Sequence, residues 1–384
     1  MKQHAIHTGK ILLLIILLIL PTLSGCKDHH ELDNLALVMA TGIDMTDEGR
    51  IRISLQLFVP QTGQAQQSAG STPIQNQSFV TTETGETITD AFNNITRRMS
   101  RRLFRGHNTV IVISTSVARD RLGEVLDYCQ RMREIRQRTL LFVTDDKVSD
   151  ILAAQSVLER NSSIALMKQE RKHVNLETTI RDISLMKTRP NKPITIPCIK
   201  LTEDRTDPRK KVIDTVGSAI FSKEILNGRL NVRQTFGMLM MTGAFEDNIF
   251  SFSPRDEKGA ISVDVQAVHV HVRPTIHQGQ WILDVDLRGR GALVENSTHL
   301  DPMKNRDYAI IEESTGHFLS SVIHSGFRKS QKLNSDVYMT YQAFDRKYPA
   351  EFQKWEKHWP DIYRTIKLRI HPHIELIHSG AITD

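Results

Sequence analysis

The chain has 384 residues, a formal net charge of +6 at neutral pH, 39% apolar and 24% charged residues, and three cysteines. Those proportions are ordinary for a soluble globular protein, and the length predicts two or three domains rather than one core. After the first 25 residues no apolar segment is long enough to span a bilayer as a helix, which excludes a protein that crosses it with several helices.

The first 25 residues read as a lipoprotein leader. Lys2 and Lys10 form a basic n-region, and Ile11 to Leu20 form an h-region of ten Ile and Leu residues. That run is about half the ~20 apolar residues a spanning helix needs, and Pro21 stops it. Small residues at Ser24 and Gly25 let a signal peptidase reach the bond before Cys26. The Cys26 thiol would then carry diacylglycerol and its freed amine an N-acyl chain, with no other cofactor implied. An uncleaved anchor helix with an incidental cysteine is the rival reading. Pro21 and the rarity of cysteine speak against it.

Leu35 to Ile43 reads as a buried strand, followed by a turn at Asp47-Glu48-Gly49. Arg50 to Val59 alternates, with Ile51, Ile53, Leu55 and Leu57 on one face and Arg52, Ser54 and Gln56 on the other. The Gln-, Ser-, Gly- and Thr-rich stretch 61–77 reads as a loop. Phe79 to Glu83 is a short strand, and Thr87 to Leu103 a helix capped by Thr87 or Thr89. His107 to Ser114 is an interior strand, Arg119 to Arg133 a helix, Leu140 to Thr144 a strand, and Val148 to Ala154 the start of another helix. This alternation is that of an α/β domain. A disulfide between Cys129 and Cys198 is the alternative to two buried thiols; the helical pattern around Cys129 and the strand-like run around Cys198 favour the thiols.

Pro190, Pro193, Pro197 and Pro208 are expected to interrupt regular structure at a junction over 189–211. Val212 to Phe221 and Gln234 to Thr242 suggest a small β-rich segment around an Asn227-Gly228 turn. Further on, Ile261, Val263 and Val265 alternate on one phase and Val268, Val270 and Val272 on the other, which predicts a bulge near Ala267. Trp281 to Leu287 is a strand, Asp301-Pro302 opens a long helix to about Lys332, two shorter helices follow, and Ile366, Leu368 and Ile370 mark a last strand. The expected fold class is mixed α/β and α+β in several domains. The expected divisions are a leader over 1–25, an α/β domain over 26–200, a β-rich middle over 201–258, and an antiparallel sheet packed with helices over 259–384.

Several of these segments carry a resemblance. Asp28, Glu31 and Leu32 follow Cys26, with Lys27 where a tryptophan is usual; Gly42-Ile43-Asp44 comes next. Arg102-Leu103-Phe104-Arg105-Gly106-His107 runs into Val110-Ile111-Val112-Ile113, followed by Arg131, Glu134, Arg136 and Leu141-Phe142-Val143. Asp336, Phe344, Lys347-Tyr348-Pro349, Trp355, Trp359 and Gly380 close the series. In this order, behind a lipobox, they resemble the Ger(x)C family of spore germination lipoproteins, the C subunits of nutrient germinant receptors. The resemblance implies a lipid-anchored protein of several domains without enzymatic activity. It also implies a place on the outer face of the spore inner membrane, beside integral-membrane A and B subunits.

No CxxC, HExxH, GxSxG or P-loop pattern occurs. His107 has no nucleophile or acid at a recognisable spacing and reads as structural. His269 with His271 and His371 with His373 are feasible metal pairs without a third ligand, and read as solvated strand faces. Trp355 and Trp359 at helical spacing read as core. Arg97, Arg101 and Arg105 fall at i, i+4, with Arg98 and Arg102 in the next row, and Arg131, Arg133, Arg136 and Arg138 form a second group. The plain reading is a solvated basic face; the functional one is contact with anionic headgroups or an acidic loop of a membrane partner. Nucleic acid is disfavoured, because the lipid places the chain outside the cytoplasm. A solute-binding lipoprotein of a transporter and a cell-envelope hydrolase are the alternatives, weakened by the lack of two similar lobes and of any acid pair or nucleophile motif.

Overall fold

Two sheets carry the fold, and each forms where β-branched and aliphatic residues supply a face to cover. The computed structural model describes residues 34–58, 78–154, 159, 161–173, 176–185, 193–204, 206–207, 211–255 and 257–377. The leader, Cys26, the stretch 61–77 and Gly380 lie outside the described residues.

The first sheet begins with antiparallel β1 (Leu35–Met45), β2 (Ile51–Phe58) and β3 (Ser78–Gly85). Next comes α1 (Ile88–Arg98), whose first turn is capped by the Thr87 hydroxyl accepting from the Asp90 amide at 3.1 Å. Short β4 (Arg102–Phe104) and β5 (Val110–Ser114) both run parallel to β1. After α2 (Thr115–Asp120) and α3 (Leu122–Arg131), β6 (Leu140–Thr144) adds parallel to β5. Then α4 (Val148–Ala153), α5 (Ser162–His173) and α6 (Ile180–Ser184) lead to β7 (Ile194–Glu203), β8 (Lys211–Ser222) and β9 (Ile225–Asn231). The spatial order is β3-β2-β1-β5-β6-β7-β8-β9, with β4 beside β1.

Both faces of this sheet are covered. Ile43, Ile51, Ile53, Leu55 and Leu57 pack with Phe92 and Ile95 of α1, Val125 and Leu126 of α3, and Ile180 of α6. Ala40, Val110, Val112 and Phe142 pack on the other face with Val148, Ile151 and Leu152 of α4 and Leu166 of α5. Ser54 and Gln56, on the polar side of the β2 alternation, are therefore buried. Gln56 stays satisfied because its amide donates to the Leu152 carbonyl at 2.8 Å and to Ser162 Oγ at 2.9 Å.

The second unit starts with α7 (Val232–Thr242) and β10 (Asn248–Phe252). The long strands β11 (Ile261–His277) and β12 (Gln280–Asn296) follow. Then come α8 (Asn305–Lys332), α9 (Thr340–Lys347), α10 (Pro349–Trp355), α11 (Trp359–Thr365) and β13 (Lys367–Ile377). Its sheet has the order β10-β11-β12-β13. One face packs on α7 and α8 through Val263, Val265, Leu283, Val285, Leu319, Val322 and Ile323.

Several expectations are corrected. The 201–258 stretch is divided between the sheets: β8 and β9 extend the first, while β10 joins the second. The junction prolines do not prevent a strand, since Pro197 lies within β7 just before Cys198, where pairing with β6 begins. Gln234 to Thr242 is helix, started by reciprocal Asn231 and Gln234 capping bonds and ended by Gly243 at φ 73°. The β8–β9 turn falls at Lys223 and Glu224, both with positive φ, and not at Asn227-Gly228. Arg119 to Arg133 divides into α2 and α3 at Arg121. Asp301 and Pro302 sit in a turn ahead of α8, which begins at Asn305. The second sheet is not wholly antiparallel, because the crossover through α8 to α11 returns β13 parallel to β12. The bulge expected near Ala267 is present: Val265 pairs with Gly291 and Ala267 with Arg290, leaving Gln266 over.

The two units share a core, as Ile220 and Leu230 of the first sheet pack in the same cluster as α7 and α8. Glycines permit the approach of those helices. A Cβ on Gly237 would stand 2.6 Å from the Val322 carbonyl oxygen, and one on Gly326 would stand 2.7 Å from that of Gln234. Gly237→Ala and Gly326→Ala are each expected to cost about 1–3 kcal/mol by overpacking, read as a lower urea midpoint. Gly123→Ala in α3, where only the Glu224 carboxylate tip is in the way, serves as control and should be neutral or gain up to ~1 kcal/mol.

Candidate functional site

The five arginines 97, 98, 101, 102 and 105 do not form two helical rows. Helix α1 ends at Arg98, Met99 is extended, and Leu103 then pairs beside Ala36 of β1. Burying Leu103 in the sheet takes that segment out of the helix. Arg97 and Arg98 sit in the last turn of α1, where the helix dipole favours cations. Arg97 donates to Asn94 Oδ1, and Arg98 pairs with Glu83 while its side chain remains 72% exposed. Arg102 is exposed at the start of β4, and Arg101 is half-buried with one guanidinium nitrogen unpartnered.

Arg105 differs from the rest. Its guanidinium lies 4.2 Å from the Phe92 ring centroid and donates to Glu134 at 2.9 Å and to Tyr128 Oη at 3.2 Å. Burial opposes its charge, but Tyr128 and Glu134 outweigh that and raise its pKa. Arg105 is a structural cation holding the α1–β4 corner against α3. The same bond ties Glu134, in the loop after α3, to this corner, and Arg133, Arg136 and Arg138 of that loop are exposed. Arg97, Arg98 and Arg102, close together in the chain, give the α1–β4 corner a basic surface. Arg131, at the end of α3, is paired with Asp127 at 2.8 Å.

This surface lies where the chain enters the fold. Leu35 is the first residue of β1 and pairs beside Arg102. Cys26 precedes Leu35 by nine residues, a reach of at most ~30 Å.

Residues 28–201 match the family described as spore germination protein N-terminal domain, and residues 216–380 the family described as spore germination B3/GerAC like, C-terminal. The chain belongs to the Ger(x)C family of spore germination proteins. It is 23% identical to spore germination protein KC of Bacillus subtilis (strain 168) over 377 residues, spanning 92% of this chain and 90% of that protein. It is 19% identical to spore germination protein B3 of the same organism over 386 residues, spanning 96% and 97%. The crystal structure of the GerBC protein shares the fold at a TM-score of 0.58 and 14% identity, covering 88% of this chain and 97% of that one.

Several motif residues of this Ger(x)C chain are occupied in holding the fold. Gly42 lets α4 approach, since a Cβ there would stand 2.4 Å from Val148 Cγ1. Gly106 leaves room for the Phe104 ring, against which exposed His107 stands edge-on at 5.7 Å. Asp336 is buried and accepts four hydrogen bonds: from the Thr340 amide (2.9 Å) and hydroxyl (2.8 Å), the Tyr341 amide (2.9 Å) and the Trp359 indole (3.1 Å). Burial pushes its carboxyl up while those donors pull it down, and burial prevails. Phe344, Phe352 and Trp281 surround Trp359, and Lys347 Nζ donates to the Pro274 carbonyl at 2.8 Å. Trp359 is core as expected, whereas Trp355 is 48% exposed.

Among the described residues Cys129 and Cys198 are buried and in no disulfide, and burial pushes the Cys129 thiol up to about 12. The histidine pairs lie on the open face of the second sheet. His271 pairs beside Asp286 and Asp286 beside His371, but Arg273 holds Asp286 at 2.8 Å. Among the described residues no group of three metal-ligating side chains assembles.

Sequence reading missed one ion pair, Asp145 with Arg229, which joins the end of β6 to β9. Its partners lie 84 residues apart and have no shared motif. Arg229 Nη2 donates to Asp145 Oδ1 at 2.8 Å, and Thr115 Oγ1 adds a bond at 2.6 Å. Chiefly the Arg229 bond lowers the Asp145 carboxyl from 3.8 to about 2. Its contribution is therefore complete above 3.8 and lost as pH falls toward 2. Asp145→Asn should melt below the parent at neutral pH, and the gap in Tm should close between those two values.

Proposed function

We propose that this chain is the C subunit of a spore nutrient germinant receptor. Lipid on Cys26 holds it on the outer face of the spore inner membrane, where it acts without catalysis beside integral-membrane A and B subunits. The observation that carries the reading, beyond family membership, is the basic surface at the point where the chain arrives from Cys26. A cation near an anionic surface contributes about 1 kcal/mol, decaying over roughly 10 Å. The short tether keeps Arg97, Arg98 and Arg102 close enough to orient the folded part against headgroups or an acidic partner loop. The tether raises the local concentration of this surface at the membrane. The structural employment of the motif residues supports a non-catalytic role. Two sheets of unlike topology speak against a solute-binding protein with two similar lobes.

Two variants test the reading. Cys26→Ala should accumulate at precursor size and leave the membrane fraction; a mature-sized, membrane-bound product would remove the lipid anchor from the proposal. The triple variant Arg97→Gln, Arg98→Gln, Arg102→Gln should fold and stay membrane-bound, because exposed pairs such as Arg98–Glu83 contribute only ~0–1 kcal/mol. It should recover several-fold less of the multi-spanning subunits on affinity purification from solubilised spore membranes, with slower nutrient-triggered germination. Unchanged recovery and germination would discard the surface as a contact.

A further inference from the structure

A second basic feature lies in the other unit. Along α8, one stripe at i, i+3 and i+4 spacing presents His324, Ser325, Arg328, Lys329 and Lys332 to a cleft of about 510 Å³. The opposite wall is the first turn of α7, which contributes Gln234. Among the described residues no carboxylate lines the cleft. Among the described residues, the side chains of Arg328, Lys329 and Lys332 make no ion pair. Arg328 and Lys332 stand at i, i+4, a like-charge spacing that weakens a helix. The dipole at the end of α8 offsets this for Lys329 and Lys332 in the last turn. It gives no reason for cations to converge on a concavity.

The neutral groups also present donors. Gln234 Oε1 is engaged by the Asn231 amide at 3.1 Å, which turns Nε2 toward Ser325 Oγ at 3.4 Å and leaves its second N–H open. Ser325 Oγ accepts that bond, so its own hydroxyl proton is free to donate. Burial and the charge of Arg328 hold His324 below its ordinary pKa, so it is neutral at pH 7. Arg233 does not fill the cleft: it donates to Ser321 Oγ at 3.0 Å and lies 4.6 Å from the Phe318 ring centroid. The result is a donor-rich cleft in which, among the described residues, three cations have no ion-pair partner and no acidic acceptor faces them.

We infer that this cleft binds a small phosphate-bearing anion through Arg328, Lys329, Lys332, Ser325 and Gln234. Three cations and two neutral donors exceed what the two oxygens of one carboxylate satisfy, and they suit the three or more oxygens of a phosphoryl group. The Arg328 guanidinium offers the planar fork and the lysines supply point charges. The volume falls within the ~300–1,000 Å³ of small-molecule sites, so the phosphoryl group can bring a substituent with it. Such a ligand comes either from free metabolite or from a lipid headgroup.

Isothermal titration of the full-length, lipidated chain in nonionic detergent tests this, with inorganic pyrophosphate and glycerol 3-phosphate as separate probes. The expected result is one-site binding of at least one probe, weakened about tenfold or more by Arg328→Gln with Lys332→Gln. Ser325→Ala should weaken it a few-fold. Tighter binding of pyrophosphate points to a free phosphorylated metabolite; equal or tighter binding of glycerol 3-phosphate points to a headgroup. Both support the site. Absence of saturation by either probe up to ~10 mM overturns it, as does binding that neither the Arg328/Lys332 variant nor Ser325→Ala moves. Both substitutions change half-buried or exposed side chains, and an unchanged thermal melt identifies the loss as one of binding. The outcome does not depend on receptor assembly.

Discussion

The close seating of α7 on α8 is the contact on which the rest of the molecule depends. Strand β9 ends at Asn231, and Asn231 is also the N-cap of α7, so the first sheet passes into the second unit with no linker. Ile220 and Leu230 then share a core with Leu319, Val322 and Ile323. Each fully buried aliphatic side chain of that kind contributes about 1.5–3 kcal/mol, so the seam amounts to a continuous core. Gly237 and Gly326 make it possible by bringing backbone against backbone. The basic surface beside β1 and the cleft between α7 and α8 are consequently parts of one body.

Polar groups buried around that core serve to specify it. Gln56 ties β2 to the α4–α5 segment, and Asp336 gathers the start of α9 and the indole of Trp359. An uncompensated carboxylate in such a place would cost several kcal/mol, and the four donors on Asp336 offset most of that. Asp336 and Trp359 belong to the motifs by which the family is known. Their work is internal, which leaves the outer surface free to differ between relatives whose identity to this chain is 19–24%.

Attachment and orientation separate by magnitude. At ~0.8 kcal/mol per buried CH₂, acyl chains on Cys26 would contribute on the order of 20 kcal/mol. Three arginines at a charged surface add about 3 kcal/mol. On the proposed reading the lipid would therefore decide whether the chain stays on the membrane, and the arginines would bear only on which way it faces. Arg105 belongs to neither term, since its charge is spent on Glu134, Tyr128 and Phe92.

Much that depends on neighbouring residues was legible in the sequence alone: the β2 alternation, the Thr87 cap, the bulge at Gln266, the buried thiols and the family motifs. Each is local chemistry, in which a side chain meets its own backbone or one face of its own strand. The apolar run from Phe236 to Met241 gave no period to separate helix from strand, and only the caps at Asn231 and Gly243 mark it. The end of α1, the parallel return of β13, the division of 201–258 and the Asp145–Arg229 pair were decided by the tertiary structure. In all but the 201–258 division, whose strands pair with sequence neighbours, the deciding partner lies tens of residues away. Burial against that partner outweighs the few tenths of a kcal/mol by which local propensity prefers one conformation to another.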